Sequence, residues 1–391
     1  MTKRVLVLNP YLPTLGGGEK HMGYLCKFIE SYYEDVTIDI MVHNYNNVNI
    51  HSTDYPTIND LEERFGIRLE KTKIVKVDLP SANTLTSHYK NKRFIERITK
   101  NYDLFINFMF LSKHVGRADK NIYCCMFPPQ KYNFSKFPQN IIGRSLDFQF
   151  KNSYDYFITN SLFTNHWQQH YWETGKRNKP IYPPVFSESE MVKVDLLKKE
   201  NVILSVGRFF VGAHNKKQDI LVDFYIANHT MFEGWELHLV GALSNNPNDV
   251  EYVNSIRNKI KDYPIYLHIN IPLVEVDELY GKAKLFWHAT GLDEESDMFP
   301  DKMEHFGITT VEAMSNGVVP IVINKGGQTE IVNHQENGLL WNSREELLEY
   351  SLELISDPNK REELALQAIE RAEFFSVENF YKHNEEIFNA L

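Results

Sequence analysis

The chain has 391 residues, too many for one ordinary domain and well suited to two. Hydrophobic residues make up 42% and charged residues 24%, the balance of a soluble globular protein. The formal charge of −10 and a pI near 5.9 exclude the basic field that a nucleic-acid-binding protein needs. The three cysteines, Cys26, Cys124 and Cys125, fit neither a disulfide framework nor a zinc site, which points to a reducing compartment. Met1-Thr2-Lys3-Arg4 leads into a short strand pattern rather than a signal peptide, and no apolar run is long enough to cross a bilayer. A cytoplasmic protein is expected.

In chain order, apolar strand patterns fall at residues 5–8, 36–42, 104–108, 122–126 and 156–159, and again at 202–206, 237–240, 265–268, 285–288 and 318–323. Helical patterns alternate with them, which predicts parallel sheets built from βαβ units. The break between the two sets falls around Tyr182-Pro183-Pro184-Val185 and the polar run to Glu200, where two prolines interrupt any continuing element.

The first strand pattern runs into Asn9-Pro10-Tyr11-Leu12-Pro13-Thr14-Leu15-Gly16-Gly17-Gly18-Glu19, followed by a helix from about Glu19. Three glycines let a backbone approach a ligand closely, but the spacing is neither the dinucleotide fingerprint nor a Walker loop. Residues 87–100 form a helical pattern that is basic on one side and apolar on another. Docking on its own domain explains that pattern, and peripheral contact with a membrane is the alternative.

In the second half, the strand ending Val206-Gly207-Arg208 is followed by Lys216 and Lys217 at the next helical pattern. Arg208 therefore leaves the carboxyl end of a strand, where open α/β sheets place ligands. His288 sits at another strand end, either as a ligand contact or as a hydrogen-bonded structural histidine. The acidic run Asp293-Glu294-Glu295-Ser296-Asp297 lacks the spacing and central glycine of a calcium loop and reads as a solvated loop.

The most informative stretch runs Glu304-His305-Phe306-Gly307-Ile308-Thr309-Thr310-Val311-Glu312. It predicts a loop feeding a short helix, so that Glu304 comes from the loop and Glu312 from the second helical turn. Between them the helix start offers N–H groups and the positive end of its dipole to phosphate oxygens. Asn324-Lys325-Gly326-Gly327-Gln328-Thr329-Glu330 then follows a buried strand, and Asn337-Gly338-Leu339-Leu340-Trp341 predicts one more.

Taken together, the E-x7-E spacing, the Gly-Arg turn with its lysine, the glycine loop and the Gly-Gly-x-x-Glu turn resemble retaining glycosyltransferases of family 4. The resemblance spans both halves of the chain. It implies an α/β GT-B fold of two Rossmann-like domains facing each other across a cleft: residues 1–185 on the acceptor side, 186–373 on the nucleotide-sugar side, and 374–391 as a helix returning to the first domain. It implies transfer of a hexose from a nucleotide-diphosphate sugar to a glycan or lipid-linked glycan, as in surface polysaccharide biosynthesis. Arg208 and Lys216 would clamp the diphosphate, with Lys217 as the rival lysine. Glu304 would hold the donor sugar and Glu312 the ribose. Gly17, Gly18, Ile271, Phe306, Gly307, Ile308 and Thr309 would complete the donor site, with the base near Ile271-Pro272-Leu273 and Leu279. His288 would touch the sugar or the acceptor.

No metal is expected: fixed cations stabilise the charge left on the departing diphosphate, and the chain has no Asp-x-Asp, the metal-holding motif of GT-A enzymes. Some members of the family carry a sugar-contacting histidine after the strand at residues 122–126. Here the segment is Tyr123-Cys124-Cys125-Met126-Phe127-Pro128-Pro129, so no general base is assigned. In a front-face retaining mechanism the leaving phosphate oxygen itself accepts the acceptor's proton. Two other readings stay open: a GT-B nucleotide-sugar epimerase or hydrolase, and a silent nucleotide-sugar or glycan-binding module.

Overall fold

The computed structural model describes residues 2–9, 16–43, 56–78, 85–187, 194–212 and 214–391. The chain divides into two compact units, Met1–Pro184 with Asn379–Leu391, and Val185–Glu378.

Unit 1 is built on β1 (Lys3–Leu8), β2 (Val36–His43), β3 (Thr72–Val77), β4 (Leu104–Asn107), β5 (Lys120–Cys125), β6 (Tyr156–Thr159) and β7 (Asn178–Pro180). All pair in parallel, in the order β3-β2-β1-β4-β5-β6-β7. Its helices are α1 (Gly17–Tyr32), α2 (Ile58–Phe65), α3 (Leu85–Thr99), α4 (Gln139–Asn152) and α5 (Leu162–Trp172). The core is aromatic: Phe105, Tyr123, Phe150, Tyr154, Phe157 and Trp172 are all but sealed from solvent. Two strands had no sequence prediction, β3 and β7, and both lie at the sheet edges. Edge strands carry a weaker apolar signal, here blunted by Lys73 and Lys76 in one and by Pro180 in the other.

Unit 2 repeats the plan with β8 (Val202–Val206), β9 (Glu236–Gly241), β10 (Ile265–Ile269), β11 (Leu285–His288), β12 (Val319–Ile323) and β13 (Leu339–Trp341), in the order β10-β9-β8-β11-β12-β13. Around this sheet stand α6 (Gln218–Ala227), α7 (Pro247–Lys259), α8 (Leu273–Lys282), α9 (Ile308–Ser315), α10 (Gln328–Ile331), α11 (Arg344–Ser356) and α12 (Pro358–Ala372). Every residue of β12 is buried, as a strand covered on both faces requires. The chain winds outward from β8 in one direction and from β11 in the other. That reversal leaves a crevice at the carboxyl ends of β8 and β11, the place where doubly wound sheets bind ligands.

The last helix, α13 (Val377–Phe388), begins in unit 2 and belongs from Asn379 onward to unit 1. There Phe380 meets His21 edge-on at 5.3 Å, Phe388 meets Phe28 at 5.1 Å, and Tyr32 Oη donates to Asn389 Oδ1 at 2.7 Å. All three cysteines are free and buried. Among the described residues no helix is long and apolar enough to cross a membrane.

Candidate active site

The crevice of unit 2 is built from strand ends and the loops that leave them. β8 ends at Val206, and Gly207 and Arg208 continue from it. Gly207 has no side chain because the stem of Lys216 occupies that space: a Cβ there would lie 2.7 Å from Lys216 Cγ. The turn is fixed from below by Gln218, whose Nε2 donates to the carbonyls of Gly207 at 3.0 Å and Arg208 at 3.2 Å. Arg208 is exposed and makes no ion pair among the described residues; its guanidinium lies 5.8 Å from the Phe210 ring.

Lys216 and Lys217 precede α6 rather than open it, and they diverge. Lys217, in the left-handed backbone region, sends its Nζ to Glu294 at 3.1 Å, an acid shared with Lys302 at 2.8 Å. Lys216 points the other way and binds Glu304 Oε2. Of the two lysines left open by the sequence, Lys216 is the one set against Glu304. The acidic run is drawn into structure through these pairs, and through Asp293 bound to Arg344 at 2.6 Å.

Glu304 also accepts from His288 Nε2 at 3.0 Å, and Thr290 Oγ1 lies 3.2 Å from the same nitrogen. His288, the last residue of β11, is buried. Burial alone would raise the Glu304 pKa, but the Lys216 charge and the His288 hydrogen bond hold it well below the usual carboxylate range. Burial lowers the His288 pKa, with Glu304 opposing and Lys216 adding to the effect. The site therefore holds an ionised carboxylate, a lysine and a neutral histidine in contact. Beside them His305 and His214 stack edge-on at 4.5 Å. Burial first, then Lys216, lowers His214 to about 4; burial and the neighbouring His214 push His305 well below the ordinary histidine value.

After Glu304 the chain turns through Phe306, which packs on Phe375 at 5.4 Å, and Gly307, with φ of 123°, into α9. A side chain at Gly307 would collide with Gln328 Nε2 at 2.4 Å. Buried Gln328 in turn accepts from Thr310 Oγ1 at 2.8 Å. Among the described residues no side chain caps the first amides of α9, at Ile308 and Thr309, which leaves its N-terminus as an anion-favouring end. Glu312 lies one turn on, half-buried, and accepts from Tyr280 Oη at 3.1 Å. The Gly326-Gly327 turn lies directly against the Glu304 loop: Gly327 N–H donates to Glu304 O at 2.7 Å, and a Cβ on Gly327 would sit 2.5 Å from Phe306 Cα.

Of the remaining predicted residues, Ile271 is half-buried between β10 and α8, while Gly17 and Gly18 open α1 in unit 1. Residues 10–15 of the glycine loop lie outside the described residues. Sequence reasoning did not find Tyr280, Gln328 or Thr310. Tyr280 lies in an ordinary amphipathic helix and carries no motif; Gln328 could have been noticed as an amide inside a glycine turn next to the Glu-rich motif.

This geometry lies within a segment of known pattern. Residues 186–371 match the model of glycosyl transferases group 1. Among curated proteins the chain is similar to the GDP-Man:Man(3)GlcNAc(2)-PP-Dol alpha-1,2-mannosyltransferases of Dictyostelium discoideum and of Homo sapiens. The first is 28% identical over 212 residues, 51% of this chain and 40% of that protein. The second is 26% identical over 242 residues, 58% of this chain and 46% of that protein. The matched part thus spans less than half the length of these relatives. Among solved structures, the glycosyltransferase from Rickettsia africae ESF-5 matches with a TM-score of 0.67 at 15% identity, covering 100% of this chain and 98% of that one. Anabaena HepE in complex with UDP and glucose matches with a TM-score of 0.67 at 17% identity, covering 99% of each. The fold shared with these glycosyltransferases is GT-B, two Rossmann-like α/β units in one chain.

Proposed function

We propose that the protein is a retaining glycosyltransferase that moves a hexose from a nucleoside-diphosphate sugar to a glycan or lipid-linked glycan, as in polysaccharide assembly. The observation that carries this reading is the convergence, at the β8/β11 crevice of a group 1 glycosyl transferase segment, of Lys216, Glu304 and the uncapped start of α9. Breaking an anomeric C–O bond leaves negative charge on the diphosphate. Lys216, Arg208 and the α9 amides are fixed positive groups suited to it, without a metal. Glu304, kept ionised, orients the sugar through its hydroxyls, and Glu312 holds the ribose. The relatives named for GDP-Man favour a guanine nucleotide and mannose as the first donor to try, and their acceptors favour a pyrophosphate-linked lipid glycan.

The test is nucleoside diphosphate release from GDP-mannose, UDP-glucose and other donors, with and without glycan acceptors, and the anomeric configuration of the product. Acceptor-dependent release with retained configuration is expected. Release without any acceptor would make the protein a hydrolase, and no release from any donor would make it a binding module. In the active pairing Arg208→Ala should lower kcat by ~10²–10³, the usual effect of removing one preorganised charge-stabilising donor. EDTA should leave turnover largely intact; complete, magnesium-reversible loss in EDTA together with a mild Arg208→Ala phenotype would sink the metal-free mechanism.

A further inference from the structure

Unit 1 carries a face that donor chemistry does not explain. α3 and α4 border a cleft of about 650 Å³ to which α3, the turn after it and the β4–β5 connection bring Lys92, Arg93, Arg97, Lys100 and Arg117, with Glu96 as the one acid in its lining and Gln149 contributed by α4. Glu96 is buried and already bound to Lys92 at 2.9 Å and Arg117 at 3.1 Å, so it does not neutralise the exposed Arg93, Arg97 and Lys100. Residues 85–100 and 131–151 together hold nine Lys and Arg against two acids, in a chain whose formal charge is −10. The second acid, Asp147, is also buried, paired with Lys113 at 3.0 Å.

Beside this basic cleft the apolar side chains point into solvent. Phe137 is 77% exposed, Ile141 56%, Ile142 51% and Phe148 70%. Ile141 and Phe148 are seven residues apart and share one face of α4, and Phe148 is the immediate neighbour of the cleft residue Gln149. Gly143 lets the preceding loop press onto α4, since a Cβ there would sit 2.9 Å from both Tyr132 and Phe134. On α3 the exposed aromatic is Tyr89, 57% exposed with the Arg93 guanidinium 5.6 Å from its ring, whereas Ile95 is sealed, with Asn91 and Thr99 on the same side. Most of the exposed apolar surface of this face thus comes from α4 and the residues just before it, and most of the basic charge from α3.

We infer that the α3/α4 face is a docking surface for an anionic phospholipid bilayer, with Phe137, Ile141 and Phe148 entering the interface and Arg93, Arg97 and Lys100 meeting headgroup phosphates. Charge complementarity selects an anionic partner. The patch mixes the rings of Phe137 and Phe148 with aliphatic Ile141 and Ile142, a combination that suits the headgroup/acyl boundary, whereas base stacking would use the rings alone.

The experiment is flotation of the purified chain with vesicles of phosphatidylcholine alone and of phosphatidylcholine with phosphatidylglycerol, at low and high salt; it reads binding and is independent of any transferase activity. Binding only to the phosphatidylglycerol vesicles, weakened by salt, is expected. Each basic side chain near such a surface contributes about fivefold, so Arg93→Glu with Arg97→Glu should reduce partitioning by at least about 25-fold. Phe137→Ser with Phe148→Ser should reduce it by at least about tenfold, and both exposed pairs should leave the circular dichroism spectrum unchanged. Equal binding to both vesicle types, or partitioning untouched by either pair of substitutions, would overturn the inference. So would absence of vesicle binding, whether the basic cleft then bound inorganic phosphate, read as a rise in melting temperature, or single-stranded RNA, read by gel shift.

Discussion

At Glu312 one carboxylate oxygen is already held by the buried hydroxyl of Tyr280, which fixes the direction in which the rest of the group is offered. A ribose bound there gains charged hydrogen bonds in ground state and transition state alike. Glu312→Gln should therefore raise the donor KM by about ten- to a hundredfold with little change in kcat. Tyr280→Phe should raise it less, because the carboxylate stays and only its aim is lost; an unchanged KM in folded Glu312→Gln protein would remove Glu312 from the site. Other single residues set the response to acid. Burial holds His21, His214, His288 and His305 below the ordinary histidine value, His21 to about 3 and His214 to about 4. The unfolded chain takes up protons at these rings below about pH 6.5 and the folded chain does not, so stability is lost as pH falls through that window. Glu304, with its folded pKa depressed, acts in the same direction but only below about pH 4.3. The denaturant midpoint should accordingly drop from about pH 7 to about pH 5, before any carboxylate contributes. His21→Leu should make that drop shallower, and a midpoint flat across the window would show that these rings do not resist protonation.

At the scale of elements, the ends of β8 and β9 divide two glycines into different jobs. Gly207 makes room for a side chain, the flexible stem of Lys216, whereas Gly241 makes room for backbone: its Cβ would lie 2.0 Å from the Gly207 carbonyl oxygen. Gly207→Ala should fold and melt within a few degrees of the parent while turnover falls at least about tenfold, because Lys216 must leave its place beside Glu304. Gly241→Ala cannot be relieved by a side-chain rotation and should lower the melting temperature strongly, at a cost of about 1–3 kcal/mol. Full turnover in Gly207→Ala would show that the position of Lys216 is unimportant. The strands themselves were legible where both faces are covered, as in β8 and β12, whose runs are apolar except for Ser205. They were not legible at the edges, where β3 alternates lysine with valine and isoleucine and β7 has three residues. α6 begins two residues later than its lysines suggested, since Lys217 is held in the left-handed region by the Asn215 side chain, which accepts from its N–H at 2.6 Å.

For the whole molecule the decisive element is α13, which the chain reaches only after completing unit 2 and which supplies part of the core of unit 1. Phe380 and Phe388 are buried there, against His21 and Phe28 of α1. Ending the chain after Glu378 would strip both rings from α1. At about 3–5 kcal/mol for each deleted phenylalanine, the loss rivals the stability of a domain. Calorimetry should show the transition of unit 1 lowered or absent while that of unit 2, Val185–Glu378, persists. Hydrogen-exchange protection in α1 and β1 equal to that of the full chain would refute this dependence.

By itself the sequence determined two parallel α/β halves, the break near Pro184, and the candidate residues Arg208, Lys216, Glu304, Gly307 and Glu312. These depend on local patterns: apolar runs, a Gly-Arg turn, and a loop and helix within nine residues of one another. Tertiary structure decided what such patterns do not encode. Lys216 and Glu304, 88 positions apart, meet because β8 lies beside β11 instead of β10, a consequence of which strands pair rather than of any local propensity. The same holds for Tyr280 on Glu312, for Gln328 beneath Gly307, and for the exposed face of α4. The sequence of residues 87–100 shows an amphipathic helix but not which side is spent on its own domain; packing buried Ile95 of α3 and left most of the exposed apolar side chains on and just before α4. Burial is a property of neighbours, and neighbours distant in sequence are chosen only when the sheets assemble.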